Sequence, residues 1–175
     1  METRFDAIVI GGGHAGVEAS RALSARGFKT ALISFDSKKI GAMSCNPAIG
    51  GVAKSHLVYE VDALGGLMGT AADHAAIQSR RLNLRKGPAV RSTRVQCDKA
   101  HYTELMSGWA ATCENLHVIE GEAASFTWDE SSRKITGVRM KNGLSLSSRA
   151  VVITSGTFMR GLMFCGDDRA VGGRV

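Results

Sequence analysis

Three groups of residues have types and spacings that could do chemistry. The first is Gly11-Gly12-Gly13-His14-Ala15-Gly16, a G-x-G-x-x-G pattern carried by Gly11, Gly13 and Gly16. In such a pattern the first glycine permits a tight turn, the second lets the backbone approach a pyrophosphate, and the third lets a helix pack close to a strand. The free N–H groups and positive dipole end of that helix attract the phosphates. The second group is the loop Met43-Ser44-Cys45-Asn46-Pro47-Ala48-Ile49-Gly50-Gly51. Its paired glycines and Asn-Pro turn leave backbone free to line a ligand. Cys45 reads either as a nucleophile activated by a cation or a helix N-terminus, or as a small packing residue. Lys54 and His56 follow closely enough to act on an anion or a proton. The third group is basic: seven Lys and Arg residues stand between Arg80 and Lys99 against one acid, Asp98, so that the rest of the chain carries fifteen of each sign. Such a segment is either a solvated loop or a surface for an anion such as a dinucleotide phosphate, a substrate carboxylate or tRNA.

The elements that must position these residues follow from periodicity. Phe5 to Ile10 is an apolar run of strand length that enters the glycines, and the Ala-rich segment after Gly16 reads as a helix stopped by Gly27. Lys29 to Phe35 reads as a second strand, which makes a βαβ unit. The acid expected on a ribose lies about 20 residues beyond the glycines. Ser34 stands near that point and Asp36 two residues on; either could hydrogen-bond a ribose hydroxyl, the Asp36 carboxylate as acceptor and Ser34 more weakly. Residues 36–54 read as loop, 55–64 as a short helix, and 69–97 carry no clear period. Asp98 is the expected N-cap of a helix to Glu114, whose Tyr102, Leu105, Met106, Trp109 and Cys113 form a core stripe. Leu116 to Ile119 is a strand. Three short strands are expected at about 122–128, 134–140 and 144–148, with Asn142-Gly143 as a hairpin turn. Ala150 to Thr154 is a last buried strand, and Thr154 and Gly156 at its end are counted with the cofactor-binding residues. The fold class expected is α/β: a Rossmann-like domain interrupted by a three-stranded β-meander, an arrangement that resembles the FAD-binding half of the glutathione-reductase-type flavoproteins.

Composition narrows the classes. The chain has 175 residues, 44% apolar and 22% charged, which is ordinary for a globular protein. Aromatics are 6%, too few for stacking platforms along single-stranded nucleic acid. There is no apolar run of about 18 residues, so no membrane span is expected. The four cysteines, Cys45, Cys97, Cys113 and Cys165, form no C-x-x-C, which disfavours a zinc ribbon, and no metal site is expected. Scattered thiols and an acidic N-terminus without a secretory pattern suit a reducing cytoplasm.

The sequence resembles the MnmG (GidA) family on six segments: GGGHAG at 11–16, MSCNPAIGG at 43–51, EVDALGGLMG at 60–69, LN at 82–83, KGPAVR at 86–91 and TSGTF at 154–158. The resemblance implies an FAD protein that works with the GTPase MnmE to modify C5 of the wobble uridine in tRNA. It further implies methylene-tetrahydrofolate as carbon donor, NADH as reductant and a homodimer. On this basis Gly11, Gly12, Gly13, His14, Ala15 and Gly16 would hold the FAD pyrophosphate. Ala123 and Val171 match further FAD positions, Val171 within Val171-Gly172-Gly173-Arg174 where the family often has Ser. Cys45 matches a cysteine proposed to be catalytic. Arg80, Arg85, Lys86, Arg91 and Arg94 are the expected tRNA contacts. Ser55 stands where the family usually has Gly, and Tyr59 where it usually has a basic residue. Family chains run to several hundred residues, so residues 1–175 are expected to be the N-terminal part of an FAD-binding domain and inactive alone. Two other readings remain open: a flavin oxidoreductase of a small molecule, and a non-catalytic nucleotide-binding module.

Overall fold

The computed structural model describes residues 3–172. In chain order its elements are β1 (Ala7–Ile10), α1 (His14–Ser24), β2 (Thr30–Ser34), β3 (Ala48–Gly50), α2 (Lys54–Ala63), α3 (Met68–His74), β4 (Ala76–Leu82), β5 (Ser92–Cys97), α4 (Lys99–Thr112), β6 (Leu116–Glu120), β7 (Ala123–Asp129), β8 (Lys134–Met140), β9 (Ser145–Ser147), β10 (Ala150–Ile153), β11 (Leu162–Cys165) and β12 (Asp168–Val171). Short 3-10 turns stand at Ser37–Lys39 and Pro88–Val90. No helix among the described residues is long and apolar enough to cross a membrane.

The central sheet is parallel, in the order β10-β1-β2-β6. Its strands are apolar on both faces because both faces are covered. Val9, Leu32 and Val118 point to the layer of α1 and α4, where they meet Val17, Tyr102 and Met106. Ile8, Ala31, Ile33 and Ile119 point the other way, onto Val138, Met140 and Leu146 of a second sheet. That sheet is antiparallel, with β7, β8 and β9 adjacent in chain order. Each fully buried Ile or Leu here contributes roughly 1.5–3 kcal/mol, so this three-layer core holds the molecule together.

The segments that carried no clear period in the sequence hold a third sheet. Strands β3, β5 and β4 pair antiparallel in that order. The reading of 36–54 as loop is therefore corrected: it contains a 3-10 turn and β3. Residues 69–97 contain α3, β4 and β5. β4 escaped notice because it is an exposed edge strand, so its residues need no apolar alternation. A hairpin of β11 and β12 ends the described chain.

Tyr102 is fully buried, yet its hydroxyl has no hydrogen-bond partner among the described residues. Burial above all, with Glu18 and then Cys97 adding to it, pushes the phenol well above its ordinary range. An unpartnered buried hydroxyl costs stability that its removal recovers. Tyr102→Phe is therefore expected to leave stability unchanged or to raise it by up to about 1 kcal/mol, read by urea unfolding. A loss of 2 kcal/mol or more, on the order of a buried hydrogen bond left half-made, would show that the hydroxyl has a partner.

Candidate functional site

The four parallel strands end on one edge of the central sheet, and the strand order changes direction beside β1, with β2 on one side and β10 on the other. In open α/β sheets this is where ligands bind. β1 runs into Gly11, whose φ of +109° suits glycine and whose added Cβ would overlap the Thr154 carbonyl. Thr154, just past β10, donates its Oγ1 to Ile10 O at 2.8 Å and to Gly11 O at 3.0 Å. A Cβ on Gly16 would overlap Gly11 O, so only glycine lets α1 sit this close to β1. Gly13 is different. It caps α1 without any side-chain bond, and nothing lies within 4 Å of the space a Cβ would take. The helix ladder starts with Val17 N donating to Gly13 O at 2.9 Å, which leaves the N–H groups of His14, Ala15 and Gly16 outside it. This open cradle at a helix start fits a dinucleotide pyrophosphate.

Beside the cradle lies a polar edge. A Cβ on Gly12 would crowd Ser34 Oγ, which donates to Asp36 O at 3.1 Å. The Asp36 carboxylate accepts from Lys38 N at 2.9 Å and meets Lys39 Nζ at 3.3 Å. Glu120, at the end of β6, accepts from Ser37 N at 2.8 Å. Gly41 N donates to Gly12 O at 2.8 Å, tying this loop to the glycine turn. Glu120 was not singled out in the sequence; the available signal was an acid closing a predicted strand. Ala123 begins β7 three residues beyond it, half-buried against the cluster around Ile8. Gly156 is exposed with φ +78°. Val171 is exposed in β12 and pairs with Leu162; Gly173 and Arg174 lie outside the described residues.

A cavity of about 660 Å³ adjoins the cradle. His14 and Ala15 of α1 form one side, and Leu57, Val58 and Val61 of α2 give an apolar wall. Ser44 and Asn46 line it on either side of Cys45, which is itself exposed and a free thiol. The His14 ring lies 5.7 Å from that of Tyr102, and its Nε2 is buried without a partner among the described residues; burial lowers its pKa, which favours neutral imidazole. Ser55 is buried and its hydroxyl accepts from Thr93 N at 3.3 Å, while the Tyr59 hydroxyl meets Thr93 Oγ1 at 2.6 Å. The basic residues lie on the third sheet and its turn. Arg80 and Arg81 of β4, with Arg85, Lys86 and Arg91 beyond it, are exposed, and Arg94 of β5 is half-buried.

A family model described as Glucose inhibited division protein A matches residues 6–175. The chain belongs to this family. It is 49% identical over 174 residues to the tRNA uridine 5-carboxymethylaminomethyl modification enzyme MnmG of Sulfurihydrogenibium sp., covering 99% of this chain and 28% of that one. It is 47% identical over 175 residues to the enzyme of the same name from Zymomonas mobilis, covering 100% of this chain and 28% of the relative. A solved structure of Aquifex aeolicus GidA superposes with a TM-score of 0.90 at 46% identity, over 98% of this chain and 28% of that one. A GidA-related protein from Thermus thermophilus, 15% identical with a TM-score of 0.65 over 94% of this chain and 59% of that one, shares the fold. This GidA-family chain thus spans 28% of the length of the relatives it matches.

The polar edge has a pH signature. Hydrogen bonds from Ser37 hold Glu120 below its ordinary carboxylate range, and the Lys38 N–H does the same for Asp36. Depressed folded-state values mean that their contribution to holding the loop is present above the ordinary carboxylate range and is lost as pH falls through the depressed values. Amide exchange at Ser37 and Lys38 should therefore lose protection below about pH 4. In Glu120→Gln the Ser37 amide should exchange faster already at neutral pH. Unchanged protection at Ser37 in that variant would show that the carboxylate does not hold the loop.

Proposed function

We propose that this GidA-family chain carries the dinucleotide-binding part of an FAD-dependent enzyme that modifies C5 of the wobble uridine in tRNA. In this reading residues 1–175 belong to the N-terminal part of an FAD-binding domain of the glutathione-reductase type, with β7, β8 and β9 as its meander insertion. The observation that carries it is the open, uncapped start of α1 at Gly13, at the point where the strand order turns. The MnmG relatives name the reaction.

The residues divide the work as follows. Gly11, Gly12 and Gly16 shape the turn, and the N–H groups after Gly13 take the pyrophosphate. Thr154 locks the turn, and Gly156, Ala123 and Val171 would be further contacts to FAD. Ser34 spends its one proton on the Asp36 carbonyl, whereas the Asp36 carboxylate, which accepts from Lys38 N and meets Lys39 Nζ, keeps further lone pairs and would be the ribose partner. Bound FAD would supply the redox chemistry for transferring a one-carbon unit. The apolar wall of Leu57, Val58 and Val61 would exclude water beside it. Cys45, exposed between two residues that line the cavity, would present its thiol to a substrate. Arg80, Arg85, Lys86, Arg91 and Arg94 would hold the phosphates of tRNA, a cytoplasmic partner. NADH as reductant, methylene-tetrahydrofolate as carbon donor, the GTPase MnmE as partner and a homodimer belong to the same proposal.

Gly13→Val tests the cradle. Val fits the backbone there, with φ −75° and open space, so the variant should fold with unchanged circular dichroism while flavin retention falls at least tenfold. Equal flavin absorbance in the purified variant would overturn the assignment. In the same preparation, Arg85→Glu with Lys86→Glu should leave flavin content intact and lower the slope of log affinity for tRNA against log salt by roughly 1–2. Unchanged tRNA binding with reduced flavin would assign the cluster to the cofactor instead.

A further inference from the structure

The cavity beside the cradle has a charge imbalance that the dinucleotide reading leaves unexplained. Lys54, first residue of α2 and on the same helix as the apolar wall, and Arg94 of β5 both line it. Neither has a carboxylate partner among the described residues. The acid that lines the same cavity, Glu18, is already engaged: its oxygens accept from Leu67 N at 3.0 and 3.1 Å and from Met68 N at 2.7 Å. Arg94 is oriented by a neutral group, its Nη2 donating to Asn46 Oδ1 at 3.2 Å. Arg80 stands directly opposite Arg94 in the β4–β5 ladder, so the two side chains share a face. Like charges so placed repel unless an anion comes between or beside them. Lys54 is introduced by Ala53 at φ +62°, a left-handed conformation that costs a non-glycine residue energy and that the fold keeps at the rim of this cavity.

We propose that Lys54 and Arg94, with Arg80 behind them, form a small-oxyanion subsite that takes the carboxylate or phosphate of a second ligand, whose apolar part lies against Leu57, Val58 and Val61. The subsite adjoins the pyrophosphate cradle and is not part of it. This inference rests on the proposed dinucleotide reading only for what occupies the neighbouring space, and it reassigns Arg80 and Arg94 from the tRNA phosphates to this ligand, leaving Arg85, Lys86 and Arg91 for tRNA. The like-charged rim and the engaged Glu18 stand without it.

The probes are acetate and inorganic phosphate, titrated into the chain with methyl-labelled Val and Met, and the signals of Val58, Val61 and Met68 report occupancy of the cavity. At least one anion should give saturable shifts of these methyls. The Kd should rise at least tenfold in Lys54→Gln with Arg94→Gln, and Arg94→Lys should recover part of it. Thermal unfolding and circular dichroism check that each variant remains folded. A lower Kd for acetate identifies a carboxylate ligand, and a lower Kd for phosphate a phosphorylated one; either supports the subsite. Non-saturable shifts, or equal Kd in wild type and the double Gln variant, would overturn it. So would loss of FAD affinity in the double variant in step with loss of anion binding, because the cations would then serve the dinucleotide. If wild type binds the anion and not FAD, the dinucleotide reading fails while the subsite stands.

Discussion

Helix α1 can approach β1 only because two positions lack a side chain. A Cβ on Gly16 would overlap the Gly11 carbonyl, and one on Gly11 would overlap the carbonyl of Thr154. Thr154 closes this arrangement from the far end of the chain, 144 and 143 residues away in sequence, by donating one hydroxyl to two successive carbonyls of the β1 exit. Two consequences follow from that contact. The sheet is complete only when β10, from beyond all the other strands of the three larger sheets, lies beside β1. And the first turn of α1 is held at the sheet edge with its N–H groups facing outward. A side chain at either glycine would push the helix away and close the feature that makes the edge useful.

The rest of the molecule extends that seat in two directions. Below, the antiparallel strands β7, β8 and β9 cover the face of the sheet that carries Ile8, Ile33 and Ile119. Above and to the side, Glu18 carries the influence of α1 outward, since its carboxylate satisfies the first N–H groups of α3. A short helix such as α3 would be marginal without such a cap. Within the third sheet β3 and β5 approach tightly at Gly50, where a Cβ would overlap the carbonyl of Thr93. Thr93 in turn meets both Ser55 and Tyr59 of α2. Ser55 and Tyr59 therefore knit α2 to β5, which is a packing role and needs no substrate contact.

Legibility in the sequence followed burial. The β1–α1–β2 unit and α4 were plain because each presents a continuous apolar face, and Asp98 caps α4 as its residue type predicts, accepting from His101 N at 3.0 Å. The turn at Gly143, with φ +88°, follows from Asn-Gly. What could not be read was the third sheet. β3 is three residues long, and β4 is a strand of Gln, Ser and Arg with almost no buried surface. Its pairing with β5 is set by the turn and by backbone bonds, which leave no periodic mark. In the site, the glycines could be read individually because each has a distinct steric reason. Glu120 could not, because its partner is the backbone of Ser37, 83 residues away in sequence.

The same geometry explains why one short stretch of chain carries the whole excess of positive charge. Exposed cations on a solvated loop lose little by being apart, and nothing would select a face on which two of them oppose each other. Here the β4–β5 ladder sets Arg80 across from Arg94, and Arg94 lines a cavity whose α2 wall is apolar at Leu57, Val58 and Val61. Salt screens the exposed part of that repulsion over about 8–10 Å, but the half-buried Arg94 is screened less. The ladder tolerates the arrangement because β5 is anchored elsewhere, by Ile49 and Val95 in the core. Burial of those two side chains supplies on the order of several kcal/mol, more than a pair of like charges at a sheet edge takes away. The strand is thus held in a register its charges alone would not choose, with the cations facing space that an anion can enter.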